Sequence, residues 1–551
     1  MNGLPGLHAW SETAFAGWIA FCAAGAIQAA DPPQPLDRPY APLMAVVGGG
    51  RLLPNPSDEK LEFIARTWSM VNSHGLMINP SVSGDRPMPL WAGRSAGTDA
   101  QGRTIGQRLK ALNPDFVLSN YRNGSYVSQN CPEEAAEAES RFPLSISVHD
   151  TGARLKRSLE ADSSTVALDP AGAPPKGMPR IYPFKASTTA GEHSQSTKAY
   201  VAWIRLGGEI LRIDQARALE DGTIELAVRR GIWGTKAAAH AQGAMVLQPV
   251  YIGANTGIDA PDNYLSGRPD ANAPQPGLRY AFQVQKADFQ QWLGDKCQAI
   301  FDDGYDVVWL DVSVSTWYNN ANAYGYPVVP WNLAAAAPLD NSTYREYQQR
   351  KADALFARFP NGRFFINNVK GSCYFKAGQD RRQLSGEGGH HPLSGGSMEM
   401  YASAPNEEQW REIVDMTLDF VRSDFWGVAW AKGGRGKYWQ FAYGTFLLAY
   451  RPGARLMFAP GESGGLPNKP AEFLYWDLGE PLETFDSAED ARHAHAKGVF
   501  CRRFAKGLVL VNPSTAASET VHLDGEFYDP ETRSWIAQTA IEGKAAKLLL
   551  R

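Results

Sequence analysis

Apolar and polar positions change period several times along this chain, and the changes mark its elements. Leu43-Met44-Ala45-Val46-Val47 is an apolar run that reads as a strand buried on both faces, ended by Gly48-Gly49-Gly50. Asp58 starts a helical pattern through Leu61, Ile64, Ala65, Trp68 and Val71, and Gly75 stops it. Leu76-Met77-Ile78-Asn79 then predicts a second strand with Asn79 at its carboxyl end. Ile105, Leu109 and Leu112 predict another helix, broken by Pro114, before Phe116-Val117-Leu118 leads to Asn120-Tyr121-Arg122-Asn123.

The alternation breaks off between 150 and 195, which is rich in Pro, Gly, Ser and Ala with no sustained period. Residues 199–252 read as short strands between turn residues: 200–204, 209–213, 223–228 and 245–252. The alternation resumes near 285. Phe289, Trp292, Leu293, Cys297 and Ile300 share a helical face and lead into Val307-Val308-Trp309-Leu310, a buried strand closed by Asp311. A helix over Tyr344 to Phe359 precedes Phe364-Phe365-Ile366 and Asn367-Asn368. Met398-Glu399-Met400-Tyr401, the amphipathic helix of Trp410, Ile413, Val414, Thr417, Leu418 and Val421, Gly427-Val428-Ala429-Trp430, a helix over Tyr438 to Tyr450, and Arg455-Leu456-Met457-Phe458 complete the series.

Eight strands, near 43, 76, 116, 307, 364, 398, 427 and 455, with helices between them predict an α/β fold, a (β/α)8 TIM barrel. A doubly wound open sheet would carry a G-x-G-x-x-G turn after its first strand, and Gly48-Gly49-Gly50 lacks that spacing. The expected organisation is a signal-like segment at 1–30, barrel strands one to three in 31–149, an inserted β-rich module at 150–260, strands four to eight in 261–485, and a C-terminal all-β, β-sandwich-like domain at 486–551.

Composition narrows the function classes. With 551 residues, 44% hydrophobic and 20% charged, the chain is an ordinary globular one of several domains. A net charge of −4 gives no electrostatic reason to expect nucleic acid or an anionic membrane as a partner. Sixteen Trp and 21 Tyr supply flat apolar faces that suit sugars and also suit barrel packing. The apolar stretch from Phe15 to Ala30 is too short and small-sided for a membrane span. It reads as the core of a secretory signal with Ile27 and Ala29 before the cleavage point, although no Lys or Arg precedes it. The expected location is secreted or periplasmic, with no stable membrane span after cleavage. Cleavage leaves Cys131, Cys297, Cys373 and Cys501, whose scatter fits no zinc spacing and leaves thiols and disulfides equally open.

In such a barrel the chemistry sits at the carboxyl ends of the strands. Those ends carry Asn79, Tyr121, Asp311, Asn367 or Asn368, Glu399 and Trp430, with Lys432 just beyond. The set holds two carboxylates, amides and aromatics, without a metal-ligand cluster; the adjacent His390-His391 reads as a loop feature. No G-x-S-x-G elbow or phosphate loop is present. Two carboxylates of this kind suit glycoside hydrolysis, one as nucleophile or base and the other as proton donor. Asp311 takes the first role and Glu399 the second, and no cofactor is required. Glu387, in Ser385-Gly386-Glu387-Gly388-Gly389, is the alternative acid; Asp424 and Glu462 are lesser candidates. The plain readings are that Asp311 caps a turn and that Glu399 pairs with a nearby Lys or Arg. Tyr121, Trp317, Trp430 and Trp439 are candidate sugar platforms that could equally be packing residues. The expected partner is a polysaccharide or oligosaccharide. A non-catalytic carbohydrate-binding or surface-assembly barrel is the alternative, and a lyase or deacetylase would need a metal or a His/Tyr base.

Two resemblances bear on this. Arg229-Arg230-Gly231-Ile232-Trp233-Gly234-Thr235, with Ala239-His240 and Gly243-Ala244, is similar to a small β motif of phage tail and baseplate proteins, in which Arg230 and His240 read as turn and surface residues. The order Asn113-Pro114-Asp115-Phe116, Gly304 to Asp311, Leu478-Gly479-Glu480-Pro481 and Phe500 to Pro513 resembles the hypothetical glycoside-hydrolase-like barrel families, in particular the set called hypothetical glycosyl hydrolase family fifteen. That resemblance covers 40–150 and 285–550. It implies a TIM barrel, a carbohydrate substrate and an acidic group at the fourth-strand Asp311, and little about which sugar.

Overall fold

The structure is a computed structural model that describes residues 32–47, 56–73, 98–128, 132–169, 203–252, 279–311, 330–366, 395–433, 436–461, 470–494, 496, 498–515 and 519–551. Eight parallel strands form its centre: β1 (Met44–Val47), β2 (Met70–Ser73), β3 (Val117–Asn123), β4 (Val307–Asp311), β5 (Arg363–Ile366), β6 (Gly395–Glu399), β7 (Trp426–Ala431) and β8 (Leu456–Pro460). They are hydrogen-bonded in that order. A parallel bridge from Leu43 to Phe458, with Phe458 N–H donating to the Pro42 carbonyl at 2.9 Å, joins the last strand to the first and closes the barrel.

Side chains alternate across this wall, as the pleat requires. Met44, Met70, Val117, Tyr121, Val307, Trp309, Phe365, Val428, Trp430, Met457 and Ala459 fill the inside. Val71, Leu118, Val308, Leu310, Phe364, Ile366 and Ala429 point outward into the layer beneath the helices. Those helices are α1 (Asp58–Thr67), α2 (Ile105–Leu112), α3 (Ala287–Asp302), α4 (Asn341–Arg358), α5 (Glu407–Arg422) and α6 (Lys437–Ala449). Their starts follow capping chemistry. Ser57 caps α1, Thr104 and Gln107 form a capping box on α2, Asp340 caps α4 and Asn406 caps α5.

The second strand corrects the sequence reading. The barrel's second strand is Met70–Ser73 and α1 ends at Thr67, whereas Leu76–Asn79, to which the apolar pattern assigns that strand, lie outside the described residues. The helical period ran on because Trp68 and Val71 join the same outer layer as Leu61 and Ile64. Spacing alone does not separate a helix face from an outward-facing strand position.

Between β3 and α3 the chain leaves the barrel and returns through a neck. Tyr126–Ser128, going out, pairs antiparallel with Arg279–Ala281, coming back, which also pairs with Tyr251–Ile252. Beyond the neck, strands 148–155, 165–169, 203–206, 209–218, 224–229 and 245–249 close into a six-stranded antiparallel barrel with its own apolar core. Two of its strands, 148–155 and 165–169, fall where the sequence showed no sustained period. Arg230 and His240 are mostly buried there: with the backbone of Gly231 and Ala238 they surround the carboxylate of Glu209, which is 1% exposed. Burial alone would raise Glu209, but these donors prevail and hold it at about 2.

After β8 come β9 (Phe500–Phe504), β10 (Gly507–Asn512), β11 (Glu519–Asp529), β12 (Ser534–Ile541) and β13 (Ala545–Leu550), one antiparallel sheet in the order β9-β10-β13-β11-β12. One face packs on α6, where Gly444 leaves room for Ala546; a Cβ on that glycine would lie 2.5 Å from the Ala546 Cβ. Arg502, 3% exposed, donates to the carbonyls of Leu447 and Tyr450 and so caps the end of α6. The sandwich-like character predicted for this domain is that of a single curled sheet. β11 meets β13 at Tyr528↔Leu550 and then bends away, bringing Val521 and Ile541 over Leu508, Leu510 and Leu549.

Candidate active site

Asp311 is the last residue of β4, and the alternation Val307, Trp309, Asp311 turns it inward. Its register partner on β3 is Asn123, two positions beyond the inward-facing Tyr121. The length of a tyrosine side chain bridges that rise: Tyr121 Oη donates to Asp311 Oδ2 at 2.5 Å. Tyr121 is only 7% exposed. Among the candidate sugar platforms it therefore orients the carboxylate and has little ring face to offer a ligand.

The backbone beneath Asp311 is pinned from behind. Gly124 N–H donates to the Asp311 carbonyl at 2.8 Å, and the Gly124 carbonyl accepts from Lys351 Nζ at 2.8 Å. Lys351, on α4, is 1% exposed, and burial pushes its ammonium down to about 7. Gln348, one turn earlier on α4, donates to Ser125 Oγ at 3.0 Å and to Tyr344 Oη at 2.5 Å. Neither Lys351 nor Gln348 is among the candidates drawn from the sequence. The signal was available: Tyr344, Gln348, Lys351 and Leu355 follow helical spacing, so two polar residues interrupt a buried face.

β6 is Gly395–Glu399 and not the Met398–Tyr401 of the sequence pattern, because Met400 turns to φ 54° and leaves the strand, so Glu399 ends it. Ser397 and Glu399 alternate with the outward Met398, which turns Glu399 into the same barrel mouth as Asp311. One strand, β5, separates β4 from β6. Neighbouring strands lie about 4.8 Å apart, so those two backbones are roughly 10 Å apart, and two inward side chains narrow the gap. β6 carried a weak sequence signal because it begins Gly395-Gly396. The first glycine is required by close approach: a Cβ there would lie 2.1 Å from the Trp426 carbonyl oxygen.

Glu399 is held by Lys432, whose Nζ donates to Oε1. The same ammonium lies 5.0 Å from the centre of the Trp430 ring. Trp430 is 3% exposed, meets Trp309 edge-on at 6.3 Å and donates through Nε1 to the Gly461 carbonyl. Its ring is committed to the barrel interior, so packing replaces the platform role expected for it. Trp439, half-buried at the start of α6, donates to the Gly433 carbonyl and sits over Gly461 beyond the ends of β7 and β8. It remains on the open face of the barrel.

Asp424 is at the other end of the barrel, just before β7, with Arg455 at 3.5 Å, and so is removed from the site. Asn79, Trp317, Asn367, Asn368, Glu387, His390, His391 and Glu462 lie outside the described residues, as do residues 1–31 with the signal-like segment and Cys131 and Cys373. Cys297 and Cys501 are free thiols. Among the described residues no group of three or more His, Cys, Asp or Glu is arranged to hold a metal, and no helix is long and apolar enough to cross a membrane. Asn72 and Ser119, register partners inside the barrel, are buried polar residues that the sequence reading also passed over.

The sequence matches no protein-family model and none of the curated proteins. In structure the chain is similar to the trehalose-6-phosphate hydrolase of Bacillus licheniformis, at 9% identity, covering 93% of this chain and 100% of that one with a TM-score of 0.39. It is also similar to the isomaltulose synthase of Protaminobacter rubrum (9% identity, 93% and 98% covered, TM-score 0.40) and a β-L-arabinopyranosidase of Geobacillus stearothermophilus (9%, 93% and 96%, 0.38). The (β/α)8 architecture stands on its own strand order and closure.

Proposed function

We propose that this chain is an exported glycoside hydrolase that cleaves glycosidic bonds of a polysaccharide with two carboxylates and no cofactor. The observation that supports the reading is that Asp311 and Glu399 each end a parallel barrel strand, β4 and β6, at positions whose alternation turns them inward. Asp311, oriented by Tyr121, is the nucleophile or the base that activates water; Glu399 gives its proton to the leaving oxygen. A gap of about 5–5.5 Å between the carboxyl groups in the substrate complex makes the enzyme retaining, and about 6.5–9.5 Å makes it inverting. Export is an inference from the apolar stretch Phe15 to Ala30.

A second reading has an observation of its own. Lys432 on Glu399 is the arrangement of a structural ion pair, and a carbohydrate-binding barrel that performs no hydrolysis would keep it. Reducing-end release from a panel of polysaccharides, measured for wild type, Asp311→Asn and Glu399→Gln, separates the two. Hydrolysis lost by orders of magnitude in both folded variants supports the enzyme. Saccharide binding without release by wild type supports the binding protein, and loss in Asp311→Asn alone transfers the acid role to Glu387.

A further inference from the structure

A cavity of about 410 Å³ opens between residues 282–286 at the return from the insertion, residues 330–334 before α4 and the first turns of α4. That volume is within the ~300–1,000 Å³ usual for ligand pockets. Its walls include Gln285 from the neck, Trp331 and Asn332 from a short hairpin, and Tyr344 and Tyr347 from α4. Each wall follows the carboxyl end of β3 or β4, so the cavity belongs to the face on which Asp311 lies. The connection is also chemical. Tyr344 accepts from Gln348, Gln348 donates to Ser125, and the preceding Gly124 carries the amide that holds the Asp311 carbonyl.

We propose that this cavity is an accessory subsite for a neutral saccharide unit of the chain whose cleavage is assigned above to Asp311 and Glu399; it rests on that carbohydrate reading. Trp331 and Tyr347, both half-buried, give the apolar surface on which a pyranose ring packs. The polar partner is specific. Gln285 Oε1 finds no hydrogen-bond donor among the described residues and is closed to water, so the terminal amide must turn to present it to a ligand in the cavity. A buried amide oxygen without a donor costs free energy that a ligand hydroxyl recovers. Asn332 spends its Oδ1 on the amides of Ala334 and Ala335, which leaves its Nδ2 to donate to a sugar oxygen. Once turned to the cavity, the Gln285 acceptor would favour a hydroxyl donor over a carboxylate or sulfate at that point. Two basic residues line the cavity: Arg350 is paired with Glu346, and the exposed Lys286 is the reason anionic polymers are included in the test.

The test is affinity electrophoresis of the full chain in the Asp311→Asn background, so that binding is read without turnover. The gels carry dextran, amylose, xylan, mannan or mixed-linkage β-glucan, with alginate and polygalacturonate as anionic polymers. At least one neutral polymer is expected to retard the protein, and adding Trp331→Ala or Gln285→Leu is expected to weaken that retardation about tenfold. Tyr347→Ala gives an independent arm if one of these variants unfolds in circular dichroism. Retardation by no neutral polymer, retardation unchanged in all folded variants, or Trp331-dependent retardation by the anionic polymers alone would each overturn the proposal. If wild type hydrolyses nothing but neutral-polymer binding depends on Trp331, the subsite stands and the hydrolase assignment falls; hydrolysis without Trp331-dependent binding gives the converse.

Discussion

Tyr121 on β3 donates its hydroxyl proton to Oδ2 of Asp311 on β4, across a register in which the two residues are not direct partners. The bond fixes which way the carboxylate faces in the barrel mouth. A hydrogen bond to a charged group contributes about 1.5–3 kcal/mol, so Tyr121→Phe should lower kcat roughly 10–100-fold with little change in KM. Steady-state kinetics on the hydrolysed glycan read this directly. An unchanged kcat would make the bond a packing feature.

Glu399 and Lys432 test the second carboxylate. If Glu399 protonates the leaving oxygen, Glu399→Gln should cut glycan hydrolysis by about 10²–10⁴. An activated aryl glycoside, whose leaving group needs no proton, should suffer much less. Both side chains are partly exposed, so losing the pair should cost at most ~1 kcal/mol of stability. A large fall in thermal midpoint with equal effects on the two substrates would instead mark Glu399 as a structural residue.

His149 should make the insertion acid-sensitive. Burial lowers its pKa from 6.5 to about 4, so the unfolded chain takes up a proton that the folded one resists. The unfolded state thus binds more protons between about pH 4 and 6.5. The His149 contribution is complete above 6.5 and is lost progressively as pH falls to 4, roughly 3 kcal/mol in all. His149→Gln should flatten that limb in urea titrations run at several pH values. An identical limb would assign the acid sensitivity to other groups.

Glu209 is the anchor of the six-stranded barrel. Glu209→Gln would leave the mostly buried Arg230 without its carboxylate, at an expected cost of about 3–5 kcal/mol in chemical denaturation. Replacing both residues by apolar ones, as in Glu209→Leu with Arg230→Met, should recover much of that loss. A double variant no more stable than the single one would show that the remaining donors around Glu209 dominate.

Gly395 sets the spacing between β6 and β7. An added methyl would meet backbone, not a yielding side-chain tip, so Gly395→Ala should destabilise the protein by about 1–3 kcal/mol. It should also lower activity, because Glu399 ends the same strand. Thermal melts and kinetics on one preparation check both effects.

Seven of the eight barrel strands were legible in the sequence because buried parallel strands are written as short apolar runs between helical patterns. β2 was misplaced because Trp68 and Val71 prolong the α1 pattern into the strand. The insertion's first two strands were missed amid Pro, Gly, Ser and Ala. Asp311 stood out because it breaks an apolar run, whereas Lys351 and Gln348 did not, being ordinary polar letters on a helix whose other faces are solvated.

The sequence by itself determined the alternation of strands and helices, the interruption after β3 and the β-rich tail, since these follow from local periodicity and turn chemistry. It also determined that Asp311 closes a barrel strand, whereas the end of β6 at Glu399 was set by the turn at Met400, inside the strand the sequence carries on to Tyr401. Only the tertiary structure decided which groups meet. Tyr121 reaches Asp311 from the next strand, Lys432 closes on Glu399, and Lys351 pins the turn behind the site, 227 positions from Gly124. Those contacts depend on strand register, pleat direction and barrel closure, which are properties of pairs of distant segments and leave no period in either one.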